Sequence, residues 1–186
     1  MTFKDYQQTF DEVLAGNIIH SPYDDPHFLE YTKLNFSRQN RWLKKVEILP
    51  ESRAAVNSIS KKQTWVIIAE PWCGDAAHCV PFIVKLAELN PLITLEIQLR
   101  DSENSEIENY LINGGKSIPR LIIRDANNTD LFVWGPRPEP ATILFLESKA
   151  QQLSVVDQKV ALQNWYNKDI GQTIQKEIVA GIKNKQ

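Results

Sequence analysis

The junction at residues 64–74 constrains this chain more than any other feature. Thr64-Trp-Val-Ile-Ile-Ala69 is a continuous apolar run rich in β-branched residues, the pattern of a strand covered on both faces. Glu70-Pro-Trp-Cys-Gly74 interrupts the run, and residues 74–89 return to helical composition and spacing up to Asn90-Pro91. A buried strand that feeds a helix this abruptly needs further strands beside it and helices over both faces.

The residues downstream supply those neighbours. Ile93–Leu99 alternates apolar and polar positions and predicts a second strand. Residues 103–112 predict a short helix, which Asn113-Gly-Gly115 breaks. Pro119 introduces a third strand at 120–124, and the turn-rich segment 125–130 leads into a fourth at 131–134. Pro136, Pro138 and Pro140 precede a helix over 141–153. Helical crossovers require parallel strands and the closing hairpin an antiparallel pair. The expected fold is therefore α/β, with a mixed four-stranded sheet and helices on both faces.

Helical extensions flank this unit. Phe3, Tyr6, Phe10, Val13 and Leu14 form an amphipathic stripe that Gly16-Asn17 terminates. Asp25-Pro26 offers a cap and a first helical proline for a second helix, with Phe28, Tyr31, Leu34, Trp42 and Val46 as its less regular apolar face. A short helix over 51–59 leads into the first strand. Near the end of the chain, Tyr166, Ile170, Ile174, Ile178 and Ile182 recur every four residues and predict one last helix with a docking stripe. The organisation is an N-terminal helical extension (1–50), a core (51–153) and a C-terminal helical extension (154–186), forming one compact unit.

The overall balance narrows the function. With 186 residues, 24% charged, 42% hydrophobic and a net charge of -2, the chain has no general attraction to nucleic acid or to an anionic membrane. The basic run Arg38-Gln-Asn-Arg41-Trp-Leu-Lys44-Lys45 is expected to be a solvated helix face. Neither a signal peptide nor a membrane-spanning stretch is expected from the residue pattern, and two closely spaced cysteines suit a cytoplasmic thiol better than a secreted disulfide framework.

Chemistry concentrates at Cys73. A cysteine at a strand-to-helix junction meets the free amides and the positive end of the helix dipole. Both favour the thiolate, which is the nucleophilic form. Trp72 would screen it and Gly74 would let another backbone approach. Asp75, one turn into the same helix, suits the dipole but opposes a thiolate. His78 is expected on the exposed face and Cys79 as a small core-facing residue. His78, Cys79 and Asp75 do not converge with Cys73 on a metal, and no cofactor is implied. Arg137, between two prolines, awaits a carboxylate partner.

These residues resemble the thioredoxin superfamily. Pro71-Trp-Cys-Gly74 after an apolar strand is similar to that family's active-site segment, and Ser117-Ile-Pro119 before a strand to its cis-proline loop. Trp134-Gly-Pro-Arg-Pro138 and Trp165-Tyr-Asn-Lys-Asp169 resemble segments of a bacterial thioredoxin-like subgroup with a Trp-Cys-Gly-Asp motif. The resemblance covers about residues 52–153 and implies that Pro119 is cis, faces Cys73, and lets the Ile118 backbone pair with an extended peptide.

Departures from the family set limits. Ala76 stands where thioredoxins carry a resolving cysteine, and Ile67 stands where they carry a buried acid. Cys79 lies six residues after Cys73, a rise of about 9 Å and a turn of about 600° along a helix, against the roughly 7 Å that a disulfide tolerates between Cα atoms. Cys79 could resolve only after local unwinding. One expectation is thus a thiol-disulfide oxidoreductase acting through Cys73 alone by mixed disulfides with a protein or small-molecule thiol or disulfide. Trp72, Gly74, Ile118 and Pro119 would bind the partner, and Asp75 and Lys116 would modulate the thiol. The alternative is a redox-silent binding module on the same fold. Either would work as a monomer or a homodimer.

Overall fold

The computed structural model describes residues 1–183. Its core is a mixed sheet in the order β2-β1-β3-β4, formed by β1 (Gln63–Ala69), β2 (Ile93–Leu99), β3 (Arg120–Arg124) and β4 (Asp130–Trp134). The apolar run of β1 lies in the middle. Trp65, Ile67 and Ala69 are fully buried on one face and Ile68 on the other, which is why the run does not alternate.

Among the described residues seven α-helices surround the sheet: α1 (Phe3–Leu14), α2 (Pro26–Lys45), α3 (Pro50–Asn57), α4 (Gly74–Ala87), α5 (Glu139–Ala150), α6 (Val155–Asp169) and α7 (Gln172–Lys183). Thr2 and Asp5 form a reciprocal capping box at α1, and Asp25 accepts the His27 amide at 2.8 Å to start α2. α1 buries Tyr6, Phe10 and Val13, as its stripe predicts. α2 differs from expectation, for its buried positions are Thr32, Asn35, Gln39 and Trp42. This inward row is mostly polar because it meets the strand-to-helix junction, where Asn35 donates to the Pro71 carbonyl at 3.0 Å. Leu34 faces outward and stays 46% exposed.

Three other expectations change. Residues 103–112 form only a single 3-10 turn, Ile107–Tyr110. Here Gln98 accepts the Glu106 amide at 2.9 Å, and the Glu106 and Tyr110 side chains hold Arg124 of β3. These ties across the sheet replace a crossover helix. The chain returns to the end of the sheet where β2 finished, so β3 runs antiparallel to β1, with Arg120 beside Ile68. That return places residues 116–119 next to Cys73.

The last helix is two helices. Ile170 (φ 49) and Gly171 (φ 73) are left-handed and break it, and a Cβ on Gly171 would sit 2.0 Å from the Phe82 ring. A four-residue repeat drifts by about 40° per step around a straight helix, so five such residues do not form a straight stripe. Tyr166 is buried from α6, Ile174, Ile178 and Ile182 from α7, and Ile170 is 48% exposed at the corner. Finally, α5 begins at Glu139 rather than 141, since Pro140 fits a first helical turn. No helix among the described residues is long and apolar enough to cross a membrane.

Candidate functional site

Cys73 is the N-cap of α4, and its Sγ accepts the Ala76 amide at 3.4 Å. The thiol donates to the Ile118 carbonyl, also at 3.4 Å. The Ile118–Pro119 peptide is cis. Strand β1 delivers the cysteine and the antiparallel start of β3 delivers the proline loop, so the two motifs meet although 45 residues apart. Gly135 fixes the loop from the other side: a Cβ there would lie 2.2 Å from the Pro119 carbonyl oxygen, at a φ of +111° that only glycine takes readily.

The thiol is only 7% exposed. Burial pushes its pKa up to about 12, with the Asp75 charge acting in the same direction and the Ala76 amide and Arg137 opposing. Asp75 is held firmly: Arg137 Nη2 lies 2.6 Å from Oδ2 and the Tyr166 hydroxyl donates to Oδ1 at 2.8 Å. Its own pKa is raised by burial, against the pull of Arg137. The carboxylate partner of Arg137 is therefore Asp75, brought into range by the Gly135-Pro136 turn after β4. Sequence spacing could not pair residues so far apart.

His78 is buried at 4% exposure, contrary to the expected exposed position. Trp42 Nε1 donates to its Nδ1 at 2.9 Å, and Nε2 faces Gln163 Oε1 at 3.2 Å. These partners place the proton on Nε2 of a neutral ring. The ring stacks on Tyr166 with centroids 4.3 Å apart, and burial depresses its pKa to about 3. Cys79 is buried as expected and points to the Tyr166 hydroxyl at 3.8 Å. α4 is continuous between the cysteines; both are free thiols, each committed to a different partner.

A buried acid does lie near the site, but not at Ile67, which is fully buried. Glu70 is 4% exposed. It accepts the Asp101 amide at 3.1 Å and the Tyr23 hydroxyl at 3.3 Å, and burial raises its pKa to about 7. Sequence analysis missed it because a glutamate at the end of an apolar run looks like a strand terminator. Trp72 packs edge-on to Phe28 and under the Arg100 guanidinium, 4.6 Å from the ring centre.

A cavity of about 890 Å³ opens beside Cys73 between α2, the start of α4, residues 116–118 and α6, with Pro119 buried behind its lining. Trp72, Cys73, Gly74, Asp75, Lys116 and Ile118 all line it. Lys116 is spent on Glu108, 2.6 Å away, so the cation acting on the thiol is Arg137.

A sequence model of the thioredoxin family matches residues 23–153. The chain belongs to the thioredoxin family. The match reaches back to Tyr23, and so takes in the whole of α2 as well as the sheet. Among solved structures, this thioredoxin-family chain is similar to a protein of unknown function, PA1234, from Pseudomonas aeruginosa, with 14% identity and a TM-score of 0.62 over 82% of this chain and 86% of that one. It is also similar to an HIV epitope-scaffold, with 15% identity and a TM-score of 0.61 over 84% of this chain and 92% of that one. Both likenesses concern the fold. No curated protein matches the chain.

Proposed function

We propose that this thioredoxin-family chain, of the subgroup with a Trp-Cys-Gly-Asp motif, is a binding module whose groove receives an extended segment of a partner along Ile118–Pro119. Cys73 serves as a protonated thiol on the groove floor. The protonation of that thiol carries the reading. With the pKa pushed up to about 12, the thiolate fraction at pH 7 is on the order of one in 10⁵, and the proton is engaged by the Ile118 carbonyl. Ala76 removes the resolving thiol and Ile67 the buried acid. What remains of the family's site is its shape.

A second reading is single-thiol exchange, favoured by the Ala76 amide aimed at Sγ and by the nearby Arg137 charge. In it, deprotonated Cys73 attacks a disulfide of a protein or small-molecule partner. A new S–S bond forms, the old one breaks, and the displaced sulfur leaves as a thiolate. A thiol from outside the chain completes the cycle by releasing Cys73. The two readings separate on the rate of Cys73 alkylation against pH. The binding reading expects negligible reaction at pH 7 and a slow rate that still climbs about tenfold per pH unit through pH 9 and 10 without levelling off, with no mixed disulfide trapped from oxidised glutathione. A midpoint below about 8.5, the free-cysteine value, together with a trapped mixed disulfide, would sink it in favour of exchange.

A further inference from the structure

The cavity beside Cys73 has a charge pattern opposite to that of the chain. Its walls hold Arg38, Arg100, Lys116, Arg137 and Lys159 against the single carboxylate of Asp75, in a protein whose net charge is -2. Three of these cations are already paired: Arg100 with Asp101, Lys116 with Glu108 and Arg137 with Asp75. Arg38 and Lys159 have no carboxylate partner among the described residues. Arg38 does not belong to a solvated helix face, as the basic run on α2 suggests. It is half-buried, bonded only to Asn35 at 3.0 Å, and its Nη1 lies 3.8 Å from where a Gly74 side chain would begin. Lys159 reaches from α6 across to α2, where its ammonium lies 3.9 Å from the centre of the Tyr31 ring and donates to the Tyr31 hydroxyl.

Between the cations the walls are apolar. Phe28 and Leu34 from α2 face Val156 and Val160 from α6 across the cavity. Leu34, Val156 and Val160 are 46%, 68% and 52% exposed, apolar surface without a partner of its own. The Ile118 amide makes no backbone hydrogen bond among the described residues, and Ile118 lines the cavity.

We infer that the groove selects an extended acidic peptide, with carboxylates set against Arg38 and Lys159 and an apolar side chain between α2 and α6. This rests on the binding-module reading above and adds the chemistry of the partner. A peptide fits better than a small anion because a cavity of about 890 Å³ with apolar walls beside its cations holds far more than one head group. An acidic chain engages both and offers carbonyls to the Ile118 amide.

The test is selection of a random peptide library against the full chain, with the recovered peptides then measured by fluorescence anisotropy. The expected outcome is strong enrichment of Asp and Glu flanking an apolar residue. Affinity should fall about tenfold for Arg38→Gln, the loss of one charged hydrogen bond, and should weaken as salt rises. Lys159→Gln, at an exposed helix position, gives a second reading if Arg38→Gln disturbs the fold through Asn35. Shielding of Cys73 from alkylation at pH 10 places the peptide in the groove. Binders that shield Cys73 without acidic enrichment, or that bind both variants as tightly as wild type, overturn the acidic preference and leave the groove standing. No binders, or binders that leave Cys73 equally reactive, overturn both.

Discussion

Replacing Glu70 by Gln should unmask a pH dependence that the wild-type protein hides. Burial raises the Glu70 pKa from 4.5 to about 7. A carboxyl raised in the folded state stabilises fully below its unfolded value, and that stability is lost as pH rises through the folded value. Integrated from pH 5 to pH 8, the shift costs about 2–3 kcal/mol. His78 acts in the opposite direction. Its pKa falls from 6.5 to about 3, so its stability is complete above 6.5 and is lost as pH falls. Between pH 8 and pH 5 that loss is about 2 kcal/mol. The two contributions nearly cancel across this window, and wild type should show little net slope from them. Glu70→Gln mimics the protonated acid and removes one side of the balance. Urea denaturation of both proteins at pH 5, 6, 7 and 8 measures the difference directly. The variant should gain about 2–3 kcal/mol relative to wild type on going from pH 5 to pH 8, whatever constant offset the altered contacts with Tyr23 and Asp101 introduce. Parallel profiles would refute the reasoning, for they would show that Glu70 ionises in the fold as it does in the unfolded chain.

Three further outcomes follow from the same geometry. Asp75→Asn removes the carboxylate that opposes the Cys73 thiolate and should speed Cys73 alkylation at pH 9 several-fold. It also strands Arg137, so chemical denaturation should show a loss of about 3 kcal/mol. Cys79→Ser should leave the pH profile of Cys73 alkylation unchanged, and mass spectrometry of oxidised wild type should find no Cys73–Cys79 bridge while α4 stays folded; a reversible bridge would mean that its first turns open readily. Gly135→Ala places a Cβ 2.2 Å from the Pro119 carbonyl oxygen and should lower the thermal midpoint by ten degrees or more, roughly the effect of a loss of several kcal/mol, whereas Gly114→Ala, with open space around it, should cost much less.

Local pattern made much of this molecule legible. The unbroken apolar run of β1 marked the middle of a sheet, the α1 stripe marked its buried face, and Pro71-Trp-Cys-Gly74 with Ser117-Ile-Pro119 pointed to the family before any contact was known. Failures of the pattern came where a side chain answered to a distant neighbour. Leu34 looked like core and lines the cavity, while Gln39, in the basic run expected on a solvated face, is buried together with Asn35. His78 looked exposed until Trp42 and Tyr166 closed over it. The residues beyond Tyr166 looked like one helix because spacing alone does not reveal that Gly171 must make room for Phe82.

By itself, the sequence determined the class of fold, the place of Cys73 at a strand-to-helix junction and the lack of a second thiol three residues on, because each is set by residues close together in the chain. The surroundings of the Cys73 thiol came from tertiary structure alone. A thiol's pKa depends on the charge, burial and hydrogen bonds around it, and here those come from Ile118, Asp75 and Arg137. Helix position argues for a thiolate; burial at 7% exposure and a fixed carboxylate act against it and push the pKa up to about 12.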